Sequence, residues 1–306
     1  MLNHKKGKYW NVSWNPITGC SPISEGCQNC WARRMATRLK GRYGYPADDP
    51  FKVTYHPDRL DQPLKWKRPK VIYVCLMGDL FHADVPFYLI DDVFDVIRRL
   101  QQHTFLILTK RPWRMCEWSN STNARGVDLL GNCPNLWVGV TVEGPGQKQR
   151  ISNLLQIPAA VRWVSYEPAL GPVDFAGDDG GHHYFPFENE QGTITPGLNW
   201  IVAGGETGPG ARPAHPDWFR KVKDDCVAAG IPFYFKQWGE WVPVLQISND
   251  FKPITKKDVL KRAHIWYDKN GHREDVSFKV GKKTAGRVLD GRTWNEMPKV
   301  RKGGAG

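Results

Sequence analysis

The sequence predicts an α/β chain of the (β/α)-barrel kind followed by a small β-containing extension, and three observations predict it. Apolar runs of strand length alternate with helix-period segments over residues 1–240. Each run from the second onward ends in a polar or charged group, at Asp79, Lys110, Glu143, Glu167, Glu206 and Gln237. Between the first run and the first helical segment lies Cys20-Ser-Pro-Ile-Ser-Glu-Gly-Cys27-Gln-Asn-Cys30, with Gly19, Pro22 and Gly26 to bend it. In a barrel of parallel strands the C-terminal strand ends share one face, so the thiols and the polar ring should surround one cavity.

Taken in order, Trp10-Asn-Val-Ser-Trp14 reads as a strand running into the breakers Asn15-Pro16 and Gly19. Trp31 to Lys40 reads as a helix, with Ala32, Met35, Ala36 and Leu39 on one side and Arg33, Arg34 and Arg38 on the other. Lys70 to Met77 is a continuous apolar run, as expected of a parallel strand covered on both faces. The helix after it spans Pro86 to Gln101, with Ile90, Val93, Phe94, Ile97 and Leu100 as its stripe. Thr104–Thr109 and a short Trp113–Trp118 helix follow, then a strand over Leu136–Val142 and a helix carrying Ile151, Leu154 and Leu155. Val161–Tyr166, Asn199–Ala203 and Phe233–Lys236 are the remaining strands, and the helix carrying Phe219, Val222, Cys226 and Ala229 stops at Gly230. Residues 171–197, rich in Gly, Asp and His without helical period, read as a long loop or lid. Its His182 and His183 are left outside the site, since adjacent histidines in a polar loop are ordinarily just exposed.

From residue 241 the period changes. His264–Tyr267 and Val276–Val280 flank Asp268-Lys-Asn-Gly271, a hairpin signal, and Val288-Leu289 with Trp294 adds a further strand or turn. Residues 241–306 are thus a C-terminal β extension, with Lys302 to Gly306 expected to be disordered.

Composition narrows the class. A chain of 306 residues that is 41% hydrophobic can bury a large core without disulfides. No apolar run approaches membrane-spanning length and no signal-peptide core follows the N-terminus, so a cytoplasmic location is expected. In a reducing compartment seven cysteines, three of them clustered, point to metal ligation, whereas Cys75, Cys116, Cys133 and Cys226 lie in strand, helix and loop patterns as small apolar residues. The excess of 43 basic over 31 acidic residues, +12 in all, suits an anionic partner. Aromatics beside cations at Trp66-Lys-Arg68, Arg111-Pro-Trp113 and Lys236-Gln-Trp238 suit unstacked bases, while Trp137, Trp163 and Trp200 at strand centres are core residues.

The spacing of six and then two residues between Cys20, Cys27 and Cys30 admits two metals. An iron–sulfur cluster normally takes four thiolates, so three leave one iron position for another ligand. A structural zinc site needs a fourth protein ligand, for which His56 or His82 is the candidate, in a zinc-stabilised nucleic-acid-binding protein without catalysis.

The motifs Ser13-Trp-Asn-Pro-Ile-Thr-Gly-Cys20, Met77-Gly-Asp-Leu-Phe-His82, Leu108-Thr-Lys-Arg-Pro112, Gly139-Val-Thr-Val-Glu143, Ser165-Tyr-Glu-Pro168 and Ala203-Gly-Gly-Glu-Thr-Gly208 occur in that order. Together with Lys236-Gln-Trp-Gly239 and Ala285-Gly-Arg-Val-Leu-Asp-Gly-Arg292, they resemble a phage and prophage family of radical-SAM-like proteins of unassigned biochemical role. More distantly the chain resembles spore photoproduct lyase-type radical SAM enzymes. The resemblance implies a partial (β/α)6 barrel, a [4Fe-4S] cluster on Cys20, Cys27 and Cys30, and S-adenosyl-L-methionine bound to the open iron. Cleavage of that cofactor gives a 5′-deoxyadenosyl radical. It further implies a one-electron reductant from the bacterial host and, with the charge, a nucleobase, nucleotide or nucleic acid as substrate. The first cysteine gap is longer than the commonest superfamily spacing, and Gly204-Gly205-Glu206 follows the sixth strand where a similar motif usually follows the second. The cofactor's methionyl contact is accordingly expected from Gly78 and Asp79, further cofactor contacts from Glu143 and Glu167, and substrate contacts from Lys110, Glu206 and Arg212. A barrel that keeps a cluster for sensing without turnover carries the same motifs.

Overall fold

The computed structural model describes residues 2, 4, 7–121, 130, 133–177, 183–188, 193–244 and 263–299. The strands run in the order β1 (Val12–Trp14), β2 (Ile17–Thr18), β3 (Thr54–Tyr55), β4 (Val71–Val74), β5 (Thr104–Thr109), β6 (Leu136–Thr141) and β7 (Val161–Tyr166). After them come β8 (Phe187–Glu188), β9 (Ile194–Thr195), β10 (Trp200–Gly204), β11 (Phe233–Gln237), β12 (Trp241–Pro243), β13 (Ala263–Tyr267) and β14 (Arg273–Lys279). Seven of these form one parallel sheet in the order β1-β4-β5-β6-β7-β10-β11, an α/β half-barrel with one strand more than six (β/α) units supply.

Curvature follows from one residue. In a flat sheet at ~4.8 Å per strand, β4 and β11 would stand about 24 Å apart. Yet the Tyr9 ring lies 6.5 Å from Tyr73 on β4 and 5.3 Å from Tyr234 on β11. The sheet therefore wraps around the segment that precedes β1. Its concave face is an aromatic floor of Tyr9, Tyr73, Leu106, Trp137, Trp163, Trp200, Val202 and Tyr234. Gly139 belongs to that packing, because a Cβ there would lie 2.5 Å from the Trp163 indole. The alternate residues, among them Ile72, Ile107, Val138, Val164, Ile201 and Phe235, face outward into the larger core under the helices. Burial on both faces is why these strands read as unbroken apolar runs.

The outer helices are Trp31–Arg38, Phe87–Arg99, Pro112–Ser119, Gln149–Leu155 and Pro216–Ala228. Phe87–Arg99 buries Ile90, Val93, Phe94 and Ile97, the stripe read from the sequence. The strand expected to reach Met77 ends at Val74, because Cys75 turns at a φ of 50° while its N–H still bonds the Trp14 carbonyl at 2.7 Å.

Two regions carry packing and pairing beyond the sequence reading. Residues 171–197, read as a long loop or lid, are loop among the described residues apart from the short β8–β9 pair, and the loop is anchored, with Val173, Phe175, Tyr184 and Phe185 buried in the main core. Aromatic anchors spaced without period gave no signal of helix or strand. His182 lies outside the described residues, and the His183 ring packs against Phe187 at 4.6 Å. The expected hairpin is β13 and β14, joined by β12 as a third antiparallel strand. Beyond it the chain returns along the edge of β11, where Trp238 N–H bonds the Gly286 carbonyl, Phe235 N–H that of Trp294, and Glu296 N–H that of Phe233. Ala285, Leu289 and Trp294 join the barrel core, so the extension covers a sheet edge that would otherwise lie open. Residues 302–306 lie outside the described residues. Among the described residues no helix is long and apolar enough to cross a membrane.

Candidate metal centre at the barrel mouth

Cys20, Cys27 and Cys30 line one cavity of about 450 Å3 at the C-terminal ends of the strands. Local structure aims them there. Gly19 pairs with Gly78, and Cys20 N–H bonds the Phe51 carbonyl at 3.0 Å, fixing the start of the loop. A Cβ on Gly78 would sit 2.7 Å from the Gly19 carbonyl, so only glycine allows the loop to lie this close to the end of β4. Glu25–Cys27 forms a 3-10 turn, and Cys30 occupies the N-cap position of the Trp31–Arg38 helix.

Two successive residues after β5 reach two different thiols. Lys110 Nζ donates to Cys27 Sγ at 3.6 Å and to Ser24 Oγ at 3.4 Å. Arg111 donates to Cys20 Sγ at 3.3 Å, to the Ser21 carbonyl at 2.9 Å and to Ser21 Oγ at 3.0 Å. Each cation is held from behind by a buried carboxylate. Glu143 accepts from Lys110, from Ser24 Oγ at 2.5 Å and from Arg150 at 2.8 Å. Asp79 accepts from Arg111 at 3.2 Å, Thr109 Oγ1 at 2.7 Å and the N–H groups of Phe81 and Lys110 at 3.0 and 3.2 Å. Burial works to raise the Glu143 carboxyl, but Lys110 and Arg150 outweigh it and hold it below the ordinary range.

The loop's outer arm is tied the same way. Glu206 accepts from Arg212 through both oxygens, at 2.8 Å from Nη2 and 3.0 Å from Nε, and from Asn29 at 3.1 Å. Arg212 also donates to the Glu25 carbonyl at 3.0 Å. Glu167, after β7, accepts from Lys236 at 2.7 Å and Gln237 at 3.0 Å.

Of the residues singled out by sequence, Gly78, Asp79, Lys110, Glu167 and Glu206 line the cavity with the three cysteines, and Gln237 completes the ring. Glu143 and Arg212 are not among the lining residues and stand behind the loop, contacting it. Sequence reasoning missed Ser24 and Arg150, and it read Arg111 and Lys236 only as cations beside aromatics.

The thiols differ. Burial and the nearby Asp79 charge push Cys20 up to about 11 despite Arg111, whereas at Cys27 the Lys110 charge and hydrogen bonds from Ser24 overcome burial and lower it. Burial pushes Cys75 up to about 12 and also raises Cys116, Cys133 and Cys226, which suits inert core thiols.

The donor set fits an iron–sulfur cluster better than a lone zinc ion. Zn–S bonds of ~2.3 Å in a tetrahedron bring sulfurs to about 3.8 Å of one another. Among the described residues no three-thiol group has its sulfurs all within 4.8 Å of one another. The histidines weighed as a fourth ligand are engaged elsewhere, His56 with Thr18 Oγ1 at 2.8 Å and His82 with Ser21 Oγ at 2.7 Å. Partly exposed thiols on a shared cavity, two of them receiving N–H donors from cations, suit the thiolate ligands of a polynuclear cluster.

Comparison with known proteins places the chain by sequence. Spore photoproduct lyase complexed with dinucleoside spore photoproduct aligns at a TM-score of 0.42 and 8% identity, over 89% of this chain and 68% of that one. A cysteine-to-alanine mutant of the lyase with the same ligand aligns at 0.39 and 9%, with the same coverage. No curated protein matches the sequence. The family described as protein of unknown function (DUF5131) matches residues 5–298. The chain belongs to the DUF5131 family.

Proposed function

We propose that this protein is a radical-SAM-like iron–sulfur enzyme that modifies or repairs a nucleobase, nucleotide or nucleic acid. The observation that carries the reading is the convergence of three thiols on one cavity at the strand C-termini, two of them met by a cation, Cys27 by Lys110 and Cys20 by Arg111. Cys20, Cys27 and Cys30 would hold a [4Fe-4S] cluster, and the remaining cavity, from Gly78 across to Glu167, would take S-adenosyl-L-methionine. When bound and reduced by a host one-electron donor, that pair supplies a 5′-deoxyadenosyl radical.

The protein's own residues bind and orient. Lys110 and Arg111 offset the negative charge of thiolate ligands, and Asp79 and Glu143 fix where those cations stand. Glu206 and Arg212 hold the outer arm of the loop, so their contribution to substrate contact comes through its position. Glu167 is the most accessible of the proposed cofactor-contact carboxylates, its side chain 16% exposed against 2% for Glu143. Its pairing with Lys236 leaves it free to exchange partners at the cavity surface.

The test is anaerobic, cluster-replete protein incubated with S-adenosyl-L-methionine, dithionite and nucleosides, nucleotides or oligonucleotides. Formation of 5′-deoxyadenosine that depends on Cys27 supports the reading. An intact cofactor under every condition rejects catalysis of this type.

A further inference from the structure

The half-barrel leaves a seam, because β1 and β11 end the sheet order and do not pair with each other. Residues 7–10 cross it. Gly7 passes against β11, where any side chain would collide with the Lys236 carbonyl, and Tyr9 plugs the floor. Lys8, Trp10, Lys236 and Lys282 line the same cavity as the thiols.

The wall has more positive charge than the fold uses. Lys236 is paired with Glu167 at 2.7 Å. Lys8 donates to the Asn11 carbonyl at 3.3 Å, and no carboxylate stands within ion-pair distance of Lys8 or Lys282 among the described residues. Lys282 opens the short Lys282–Ala285 helix and is exposed. Its ammonium feels Lys236 as repulsion and only longer-range attraction from Glu167 and Glu240. The Trp10 ring gathers the charges: Lys8 Nζ stands 5.6 Å and Lys236 Nζ 5.5 Å from its centroid. Like charges held together on a cavity wall cost stability unless an anion joins them. The same cavity also carries Trp31, 44% exposed, a free indole of the kind on which bases stack.

We infer that Lys8 and Lys236, held over Trp10 at the seam, form together with Lys282 on the same cavity a phosphate subsite that takes a nucleotide unit of single-stranded nucleic acid. The inference deepens the reading of the cavity as an active site for that substrate class and rests on it. A base within a duplex cannot enter a concave pocket, so the unit is presented unpaired or extruded.

The test is fluorescence anisotropy of a labelled decathymidylate against the full chain over a salt series. Neutralising one phosphate contact on a single strand flattens the slope of log K against log salt by about 0.7. Lys8→Gln and Lys282→Gln should each flatten it by that amount and the double variant by about 1.4. Lys283→Gln, which does not line the cavity, should leave it unchanged. A double variant with the wild-type slope, or an equal loss from Lys283→Gln, overturns the subsite. The titration is repeated on the Cys20/Cys27/Cys30 triple Ala variant, where an unchanged slope is expected. Absence of iron in the wild type would then sink the enzymatic reading alone, and an unaltered Lys8/Lys282 slope would sink the subsite alone.

Discussion

Replacing Glu143 by alanine removes the acceptor shared by Lys110, Arg150 and Ser24. The side chain is 2% exposed, Arg150 9% and Lys110 19%, so the change strands one nearly buried cation and one partly buried one. Breaking such a pair costs about 3–5 kcal/mol. The lower end applies here, since Lys110 can turn toward water and Arg150 keeps the Thr141 carbonyl at 2.7 Å. With an unfolding entropy of ~2.1 cal/mol/K per residue, a loss of about 3 kcal/mol lowers the melting temperature by roughly 5 °C. Glu143→Gln retains an acceptor without the charge and should lose about half as much. The assay is far-UV circular dichroism melting at one scan rate, with iron content after anaerobic reconstitution measured on the same samples. Iron content should fall in Glu143→Ala, because Ser24 no longer pins the loop between Cys20 and Cys27. A melting temperature within about 1 °C of wild type, with iron retained, would refute the view of Glu143 as the anchor of the cysteine loop.

Three further outcomes can be checked alongside. Gly26→Ala places a Cβ 2.6 Å from Glu143 Oε1, and the overpacked loop should lose about 1–3 kcal/mol and bind less iron, read by melting and iron analysis. Tyr9→Ala empties the middle of the aromatic floor and should cost about 3–5 kcal/mol, measured by urea denaturation; a cost near zero would contradict the wrapped sheet. His56, buried at 4% exposure and beside Arg59, is pushed down to about 4 by burial first and the Arg59 charge second. The unfolded chain therefore takes up its proton first, so its stabilising contribution is full above pH ~6.5 and is lost as pH falls through 6.5 toward 4. That amounts to about 2 kcal/mol between pH 7 and pH 5. His56→Gln should flatten the pH dependence of the melting temperature by a matching amount, and an unaltered profile would remove His56 from the explanation.

How much could be read beforehand depended on how local the signal was. The inner sheet strands were legible because they are covered on both faces and so carry their apolar pattern within their own residues, as in Lys70–Met77 and Thr104–Thr109. Strands of two or three residues, such as Ile17–Thr18 pairing with Thr54–Tyr55 or Trp241–Pro243 pairing with β14, have no period to detect. The buried aromatics of 171–197 were missed for the same reason. The cysteine loop and the polar strand ends were legible as types and positions. Their wiring was not, since Glu143 meets Ser24 across 119 residues and Arg212 meets Glu25 across 187. Nothing in the local sequence of Glu143 says that Lys110, Arg150 and Ser24 occupy both of its oxygens, or that Arg111 stands beside Cys20.

The central claim is that Cys20, Cys27 and Cys30 ligate an iron–sulfur cluster, and elemental analysis tests it most directly. Protein purified anaerobically, wild type and the triple Ala variant, is assayed for iron, sulfide and zinc with an absorption spectrum. Four irons and four sulfides per [4Fe-4S] cluster in the wild type, absent from a variant that still folds, are predicted. One zinc without iron, or iron unaffected by loss of the three thiols, would contradict the claim.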